Sequence, residues 1–263
     1  MRVLEWQDLL TGRTDVLAGA WNATIGVFDG LHLGHRSLVD LLQVRDNPLY
    51  PDARPLVITF RTSPKKVLQL QYPGDLMTWE RKLATLEALG VEVVVAIDFS
   101  ADFGKMAGRD FFLVLKKSIV FSKLVLGWNF SFGSGSGTTA SDLGWLADPQ
   151  TRLTVVPPFV VAGEAVSSSR IRRALASGDI FLANQLLGRE YDLPVTSHRR
   201  LGTLLRAPKN EFETLVPANG LYQCRLNDRT TLLTVNETDL TWESPPGERL
   251  EHIVFVQGVQ NGT

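Results

Sequence analysis

The chain is poor in the residues that carry disulfide, thiolate-metal and membrane chemistry. It has one cysteine in 263 residues, Cys224, so no intramolecular disulfide can form and a cysteine-based structural zinc site is excluded. That usage favours a reducing compartment. No stretch reaches the roughly 18 uninterrupted apolar residues of a membrane-spanning helix, and Met1-Arg2-Val3-Leu4-Glu5-Trp6-Gln7-Asp8 places acidic residues where a secretory segment would be apolar. Neither sign of charge is in excess: 27 Lys and Arg against 28 Asp and Glu leave a net charge of −1. There is thus no electrostatic reason to expect nucleic-acid or anionic-membrane binding. Internal repeats are absent, and the only low-complexity tract is the Gly/Ser stretch from Phe132 to Thr139, a flexible loop by composition and a mobile active-site loop by position. These absences describe a cytoplasmic protein with small-molecule partners, no nucleic-acid or membrane partner, and a monomeric or weakly oligomeric state.

What is present is concentrated in one run. Gly26-Val27-Phe28-Asp29-Gly30-Leu31-His32-Leu33-Gly34-His35 contains two of the four histidines and follows a strand-like segment. Its glycines let backbone N–H groups approach phosphate, and the imidazoles and following helix start are expected to add positive potential. No Gly-Lys-Ser/Thr follows, so this is not a Walker P-loop. Apolar strand-like runs recur at Ala23–Phe28, Pro55–Phe60, Val91–Ile97, Lys123–Gly127 and Leu153–Val156. Helical spacing lies between them, at Leu38, Leu41 and Leu42, at Leu83, Leu86 and Leu89, and at Phe111, Phe112, Leu115 and Ile119. Strand and helix in alternation predict a Rossmann-like α/β domain, a parallel sheet covered on both faces with ligands at the strands' carboxyl ends. Ser168-Ser169-Arg170-Ile171-Arg172-Arg173-Ala174-Leu175 reads as a serine-capped helix, and Phe181–Leu187 as another. A first domain over 1–188 is therefore expected. The texture beyond it, with β-like runs at Gly220–Leu226, Thr230–Val235 and Arg249–Val256, predicts a small β unit or reduced barrel over 189–263.

Four segments are expected to meet at one sheet edge: Gly26–His35, Thr59–Pro64, Gly127–Gly137 and Val166–Arg172. Together they suit nucleotidyl transfer, in which a phosphate attacks the α-phosphorus of a nucleoside triphosphate and the protein positions groups and stabilises charge. His32 and His35 would donate to phosphate oxygens, and Asn129 would orient a phosphate or a magnesium-bound water. The serine-capped helix start would hold the leaving pyrophosphate and Arg172 would neutralise it, with little part in stability. No metal-ligating residues are assigned.

The residues also carry a resemblance. Gly26–His35 resembles the GxFDGxHxGH signature of the bacterial FAD synthetase family, usually bifunctional riboflavin kinase/FMN adenylyltransferases of the HxGH nucleotidyltransferase superfamily. Val57-Ile58-Thr59-Phe60 is similar to the family's V-x-T-F, Gly127-Trp128-Asn129-Phe130-Ser131-Phe132-Gly133 to its G-x-[DN]-F-x-F-G, Val166-Ser167-Ser168-Ser169-Arg170-Ile171-Arg172 to its I-S-S-[ST]-x-I-R, and Leu186-Leu187-Gly188-Arg189-Glu190-Tyr191 to its L-L-G-R-P-Y. The resemblance implies transfer of AMP from ATP to FMN, giving FAD and pyrophosphate with Mg2+. It implies that Gly26, Phe28, Asp29, Gly30 and Gly34 are binding residues of the nucleotide turn, and that His32, His35, Asn129 and Arg172 are catalytic. Ser168 and Ser169 would meet the β- and γ-phosphates, and Phe60 and Pro64 would border the flavin. Thr62-Ser63-Pro64 replaces the family's P-H-P, which leaves room for another phosphate-bearing acceptor. The stretch Gly202-Thr203-Leu204-Leu205-Arg206-Ala207-Pro208-Lys209-Asn210 lacks the kinase motif G-F-P-T-A-N. Pro217–Tyr222 still resembles a kinase strand start, and Leu250-Glu251-His252 the strand of the kinase's glutamate. The implied protein is an FAD synthetase with a reduced riboflavin-kinase-like β-barrel and no kinase activity; the alternatives are a bifunctional enzyme and a non-catalytic flavin-binding protein.

Overall fold

The computed structural model describes residues 1–100, 103–133, 137–195, 199–201, 203–227, 229–243 and 252–259. They form two compact units, Met1–Tyr72 with Trp79–Phe159, and Pro73–Thr78 with Val160–Thr263.

In the first unit, β1 (Arg2–Glu5), β2 (Ala20–Ile25), β3 (Arg54–Phe60), β4 (Val93–Ile97), β5 (Val120–Gly127) and β6 (Arg152–Val156) make one all-parallel sheet in the order β1-β4-β3-β2-β5-β6. The central strands are unbroken Val/Ile/Leu runs because both of their faces are buried. On one face Leu56, Ile58, Val93 and Val95 share a core with Leu9, Phe111, Phe112 and Leu115. Their neighbours Val57 and Val94 are also fully buried, on the opposite face. Around the sheet run α1 (Trp6–Thr11), α2 (Leu33–Asp40), α3 (Pro64–Leu68), α4 (Trp79–Ala88), α5 (Gly108–Ser118) and α6 (Ala140–Leu146). The run expected as a strand from Ala23 to Phe28 leaves the ladder after Ile25, because Phe28 adopts a left-handed backbone (φ 51°). Strand β1 was not foreseen: its four residues are exposed or half-buried and carry too little apolar pattern.

Chain order decides where a ligand meets this sheet. From β2 the chain moves outward through β3 to β4, then returns past β2 to place β5 on its other side. The crevice between the carboxyl ends of β2 and β5 is therefore a topological switch point, the usual ligand position in open α/β sheets.

In the second unit, α7 (Ser168–Ala176) and α8 (Ile180–Leu187) precede seven strands: β7 (Tyr191–Pro194), β8 (Arg199–Leu201), β9 (Leu204–Pro208), β10 (Gly220–Leu226), β11 (Arg229–Val235), β12 (Asp239–Glu243) and β13 (His252–Gly258). They pair antiparallel in the order β7-β13-β10-β11-β12-β9-β8. Alternate residues, including Tyr191, Tyr222, Leu233, Trp242 and Phe255, point into a single core, so the sheet curls around itself as a reduced barrel. By packing, the compact units part at 159/160, so α7 and α8, which precede the expected functional boundary at 188/189, fall with the barrel. The reason is that Ile171, Leu175, Ile180, Leu186 and Leu187 of α7 and α8 share the barrel's core. The Asn184 amide reinforces this, donating to the Phe255 carbonyl at 3.0 Å while its oxygen accepts the Tyr191 N–H at 2.8 Å. Among the described residues no helix is long and apolar enough to cross a membrane.

Candidate active site

The turn after β2 is held in an unusual backbone. Gly26 N–H still bonds the Ile58 carbonyl at 3.1 Å, after which Phe28 (φ 51°), Gly30 (φ 79°) and Leu31 (φ 40°) all take positive φ. Only Gly30 does so without steric cost; each non-glycine residue in this region costs about 1–3 kcal/mol and persists only where its surroundings fix it. A side chain at Gly26 would be tight, since a Cβ there would sit 3.1 Å from the Phe28 ring. Phe28 itself is fully buried and packs edge-on to His35, centroids 5.1 Å apart. The Phe28 ring thus lies buried beneath the turn. Asp29 and Gly30 are buried as well.

His32 and His35 are stacked face to face, with ring centroids 3.6 Å apart and planes 16° from parallel. His32 caps α2, its Nδ1 accepting the His35 backbone N–H at 3.3 Å. A nitrogen that accepts carries no proton, so neutral His32 presents Nε2–H as its donor. His35 Nδ1 is buried with no hydrogen-bond partner among the described residues. Burial lowers the His32 pKa to about 4. For His35, burial first, then the His32 ring and the Lys82 ammonium, push it well below the usual imidazole range. The expectation that these imidazoles bring positive charge is thus corrected. They are neutral N–H donors, and an arriving polyphosphate would favour their protonation.

The positive charge is supplied from a residue that no sequence pattern singles out. Lys82 of α4 is 4% exposed, and its Nζ donates to the Val27 carbonyl and the Phe60 carbonyl, both at 2.9 Å. The buried Thr59 hydroxyl also donates to the Val27 carbonyl, at 3.1 Å. Lys82 sits at an ordinary amphipathic-helix position, so its burial is a tertiary fact.

Two further predicted segments lie at the same sheet edge. Asn129 is exposed in the tight turn after β5, where the Phe130 N–H bonds the Gly127 carbonyl at 2.9 Å. Phe60 ends β3 half-buried, and Pro64 opens α3 behind Ser63. Phe60 joins a chain of edge-to-face aromatic rings that sequence reading did not assemble: Phe99 at 5.9 Å, Phe103 at 6.1 Å, then Phe111 and Phe132. These rings come from four separate loops or elements, so no local pattern announces them. The Gly/Ser stretch begins and ends in a short ribbon, Ser131–Phe132 with Thr138–Thr139; residues 134–136 lie outside those described.

The serine–arginine segment belongs to the second unit. The cap of α7 is Ser167, whose side chain accepts the Arg170 N–H at 3.2 Å, so Ser168 and Ser169 are the first residues of the helix itself. Ser168 is half-buried and Ser169 exposed. Arg170, unassigned from sequence, is buried and donates to the Val161 and Glu164 carbonyls at 2.8 and 2.9 Å. Arg172 is 8% exposed and its Nε donates to the Gly74 carbonyl at 2.9 Å, which overturns the expectation of a side chain with little part in stability. Arg172→Ala should lower the unfolding free energy by about 1–3 kcal/mol, the usual worth of a hydrogen bond to a charged group. Urea denaturation checks this: an unchanged midpoint would show that the Gly74 contact contributes nothing.

A parallel sheet with a strained glycine–histidine turn at its switch point, followed by a curled antiparallel unit, defines a nucleotidyltransferase-type α/β protein with an appended β domain. The chain belongs to the FAD synthetase family, whose profile matches residues 18–170. It is 28% identical to a bifunctional riboflavin kinase/FMN adenylyltransferase of Listeria monocytogenes, over 87% of this chain and 72% of that protein. With the protein of the same name from Bacillus subtilis it shares 32% identity over 64% of this chain, and the match spans about half, 53%, of that relative. The fold recurs in the crystal structure of a protein titled macrolide-efflux protein from Streptococcus pneumoniae, with a TM-score of 0.78 at 22% identity over 93% of this chain and 87% of that one. At that identity the likeness concerns the fold.

Proposed function

We propose that this chain transfers AMP from ATP to FMN. The FMN phosphate oxygen attacks the α-phosphorus, a new P–O bond forms, the bond to the bridging α,β-oxygen breaks, and FAD and pyrophosphate leave. The observation that carries the reading is the stacked, neutral His32–His35 pair on the turn at the β2/β5 switch point. His32 Nε2–H is the proposed donor to phosphate oxygens as charge builds on the leaving pyrophosphate. Asn129 is the proposed polar contact between nucleotide and flavin phosphate, with the Phe60 aromatic chain and Pro64 as the apolar border for a flavin ring. Ser168 and Ser169, at the start of α7, are proposed partners of the β- and γ-phosphates.

Among the described residues no group of three or more His, Cys, Asp or Glu is gathered to hold a metal ion. In this reading magnesium arrives with the substrate, as Mg-ATP, and no step is assigned to a protein-held ion. The adenylyltransferase function is assigned to residues 1–188, although α7 and α8 pack with the barrel, because the motifs from Gly26–His35 to Val166–Arg172 lie within them. The cytoplasm is the proposed location. Incubation of the purified chain with FMN and Mg-ATP, followed by chromatography, tests the function: FAD and pyrophosphate in equal amounts are expected, and flavin binding without pyrophosphate release would replace the reading with a non-catalytic one.

A further inference from the structure

We infer that Lys82 is a positioning residue for nucleotide binding: its buried ammonium clamps the Val27 and Phe60 carbonyls and so holds the strained turn that carries His32 and His35. The inference rests on the adenylyl-transfer reading for its kinetic consequence and on geometry for the rest. Parallel strands end in carbonyl groups, and at the switch point those of β2 and β3 face the edge where an anionic triphosphate would arrive. Left bare, they would repel it. Lys82 covers one carbonyl beyond the end of β2 and one at the end of β3, at 2.9 Å each. The Val27 carbonyl belongs to the peptide unit leading into Phe28, the first residue of positive φ. Fixing that peptide plane is therefore the direct way to keep Phe28 in its left-handed conformation and, through it, the edge contact with His35. Thr59 supplies a second, neutral bond to the same carbonyl but no charge.

The first unit contains its own control. Lys123 on β5 is equally buried, at 3% exposure, and also bonds a carbonyl, that of Val44 at 2.8 Å, while pairing with Asp46. Its bonds hold the connection after α2 and not the glycine–histidine turn. Both lysines should matter for stability, and one of them for the nucleotide. The test compares Lys82→Met and Lys123→Met with wild type, below the melting midpoint of each, by calorimetric titration with Mg-ATP and by steady-state FAD formation. Lys82→Met should weaken ATP binding and lower kcat, with kcat/KM for ATP falling about a hundredfold, the scale of a small misplacement of reacting groups. Lys123→Met should stay within about threefold in both readouts, well inside that hundredfold window. If Lys82→Met does not fold, Lys82→Gln, which keeps N–H donors without the charge, is judged by the same ATP affinity and kcat/KM. Wild-type values in the folded Lys82 variant, or an equal fall in Lys123→Met, would overturn the assignment. Absence of FAD formation by wild type would instead sink the adenylyl-transfer reading, and ATP affinity would still decide the role of Lys82.

Discussion

His32→Ala and His35→Ala should each lower turnover about 10²–10³-fold, the loss seen when one preorganised donor to developing charge is removed. The structure adds a complication that sequence alone hid. His32 is the cap of α2, so its alanine variant should also lose about 1 kcal/mol of stability with the cap. His32→Asn separates the two effects, because asparagine is a strong cap and no imidazole: it should recover stability and remain slow. The pair also sets an acid limit. His32 titrates near 4 in the fold against 6.5 when unfolded, so the unfolded state binds more protons between those values. The stability contributed by keeping it neutral is complete above 6.5 and lost as pH falls toward 4, about 3 kcal/mol in all. His35 acts in the same direction. His32→Asn should therefore flatten the fall in melting temperature between pH 6.5 and 4. A folded His32→Asn protein with near wild-type turnover at saturating ATP would remove His32 from the chemistry.

The parallel domain was legible because both-faces-buried strands leave long Val/Ile/Leu runs, and the turn because Gly, Asp and His at fixed spacing are rare together. Strand β1 and the boundary at 159/160 were not legible. The first is too short and polar, and the second depends on which core α7 and α8 join, which local spacing does not encode. Within the site, the histidines were found but their charge state was misjudged, since desolvation is a property of packing. Lys82 shows the same limit from the other side. In sequence it is one of several lysines on amphipathic helices, and only the approach of α4 to the ends of β2 and β3 gives its ammonium two carbonyls to hold. Arg172 was chosen for phosphate on a motif, and the bond from its Nε to the Gly74 carbonyl, 98 residues away, is a contact that no local spacing encodes.

Riboflavin supplied with Mg-ATP should yield no FMN above background, whereas FMN in the same buffer yields FAD. A kinase active site needs side chains that gather magnesium and the γ-phosphate beside the accepting hydroxyl. The stretch that would bear them offers none of that kind. Residues Leu204–Pro208 are the regular strand β9, paired along its length with β12, and alternate members Leu205 and Ala207 point into the core. Between them, Arg206 is committed to Asp239, whose carboxylate also accepts the Thr238 hydroxyl at 2.6 Å. That guanidinium holds Asp239 below the usual carboxylate range, as does Thr238. Beyond the strand, the Lys209 ammonium donates to Asn219 at 2.7 Å. Gly202, Leu250 and Glu251 lie outside the described residues. Arg206 and Lys209 are thus engaged by other residues of the barrel, which fits a unit kept for its fold. Accumulation of FMN from riboflavin, abolished by no first-unit histidine substitution, would show that another set of ligands in the second unit does the phosphorylation.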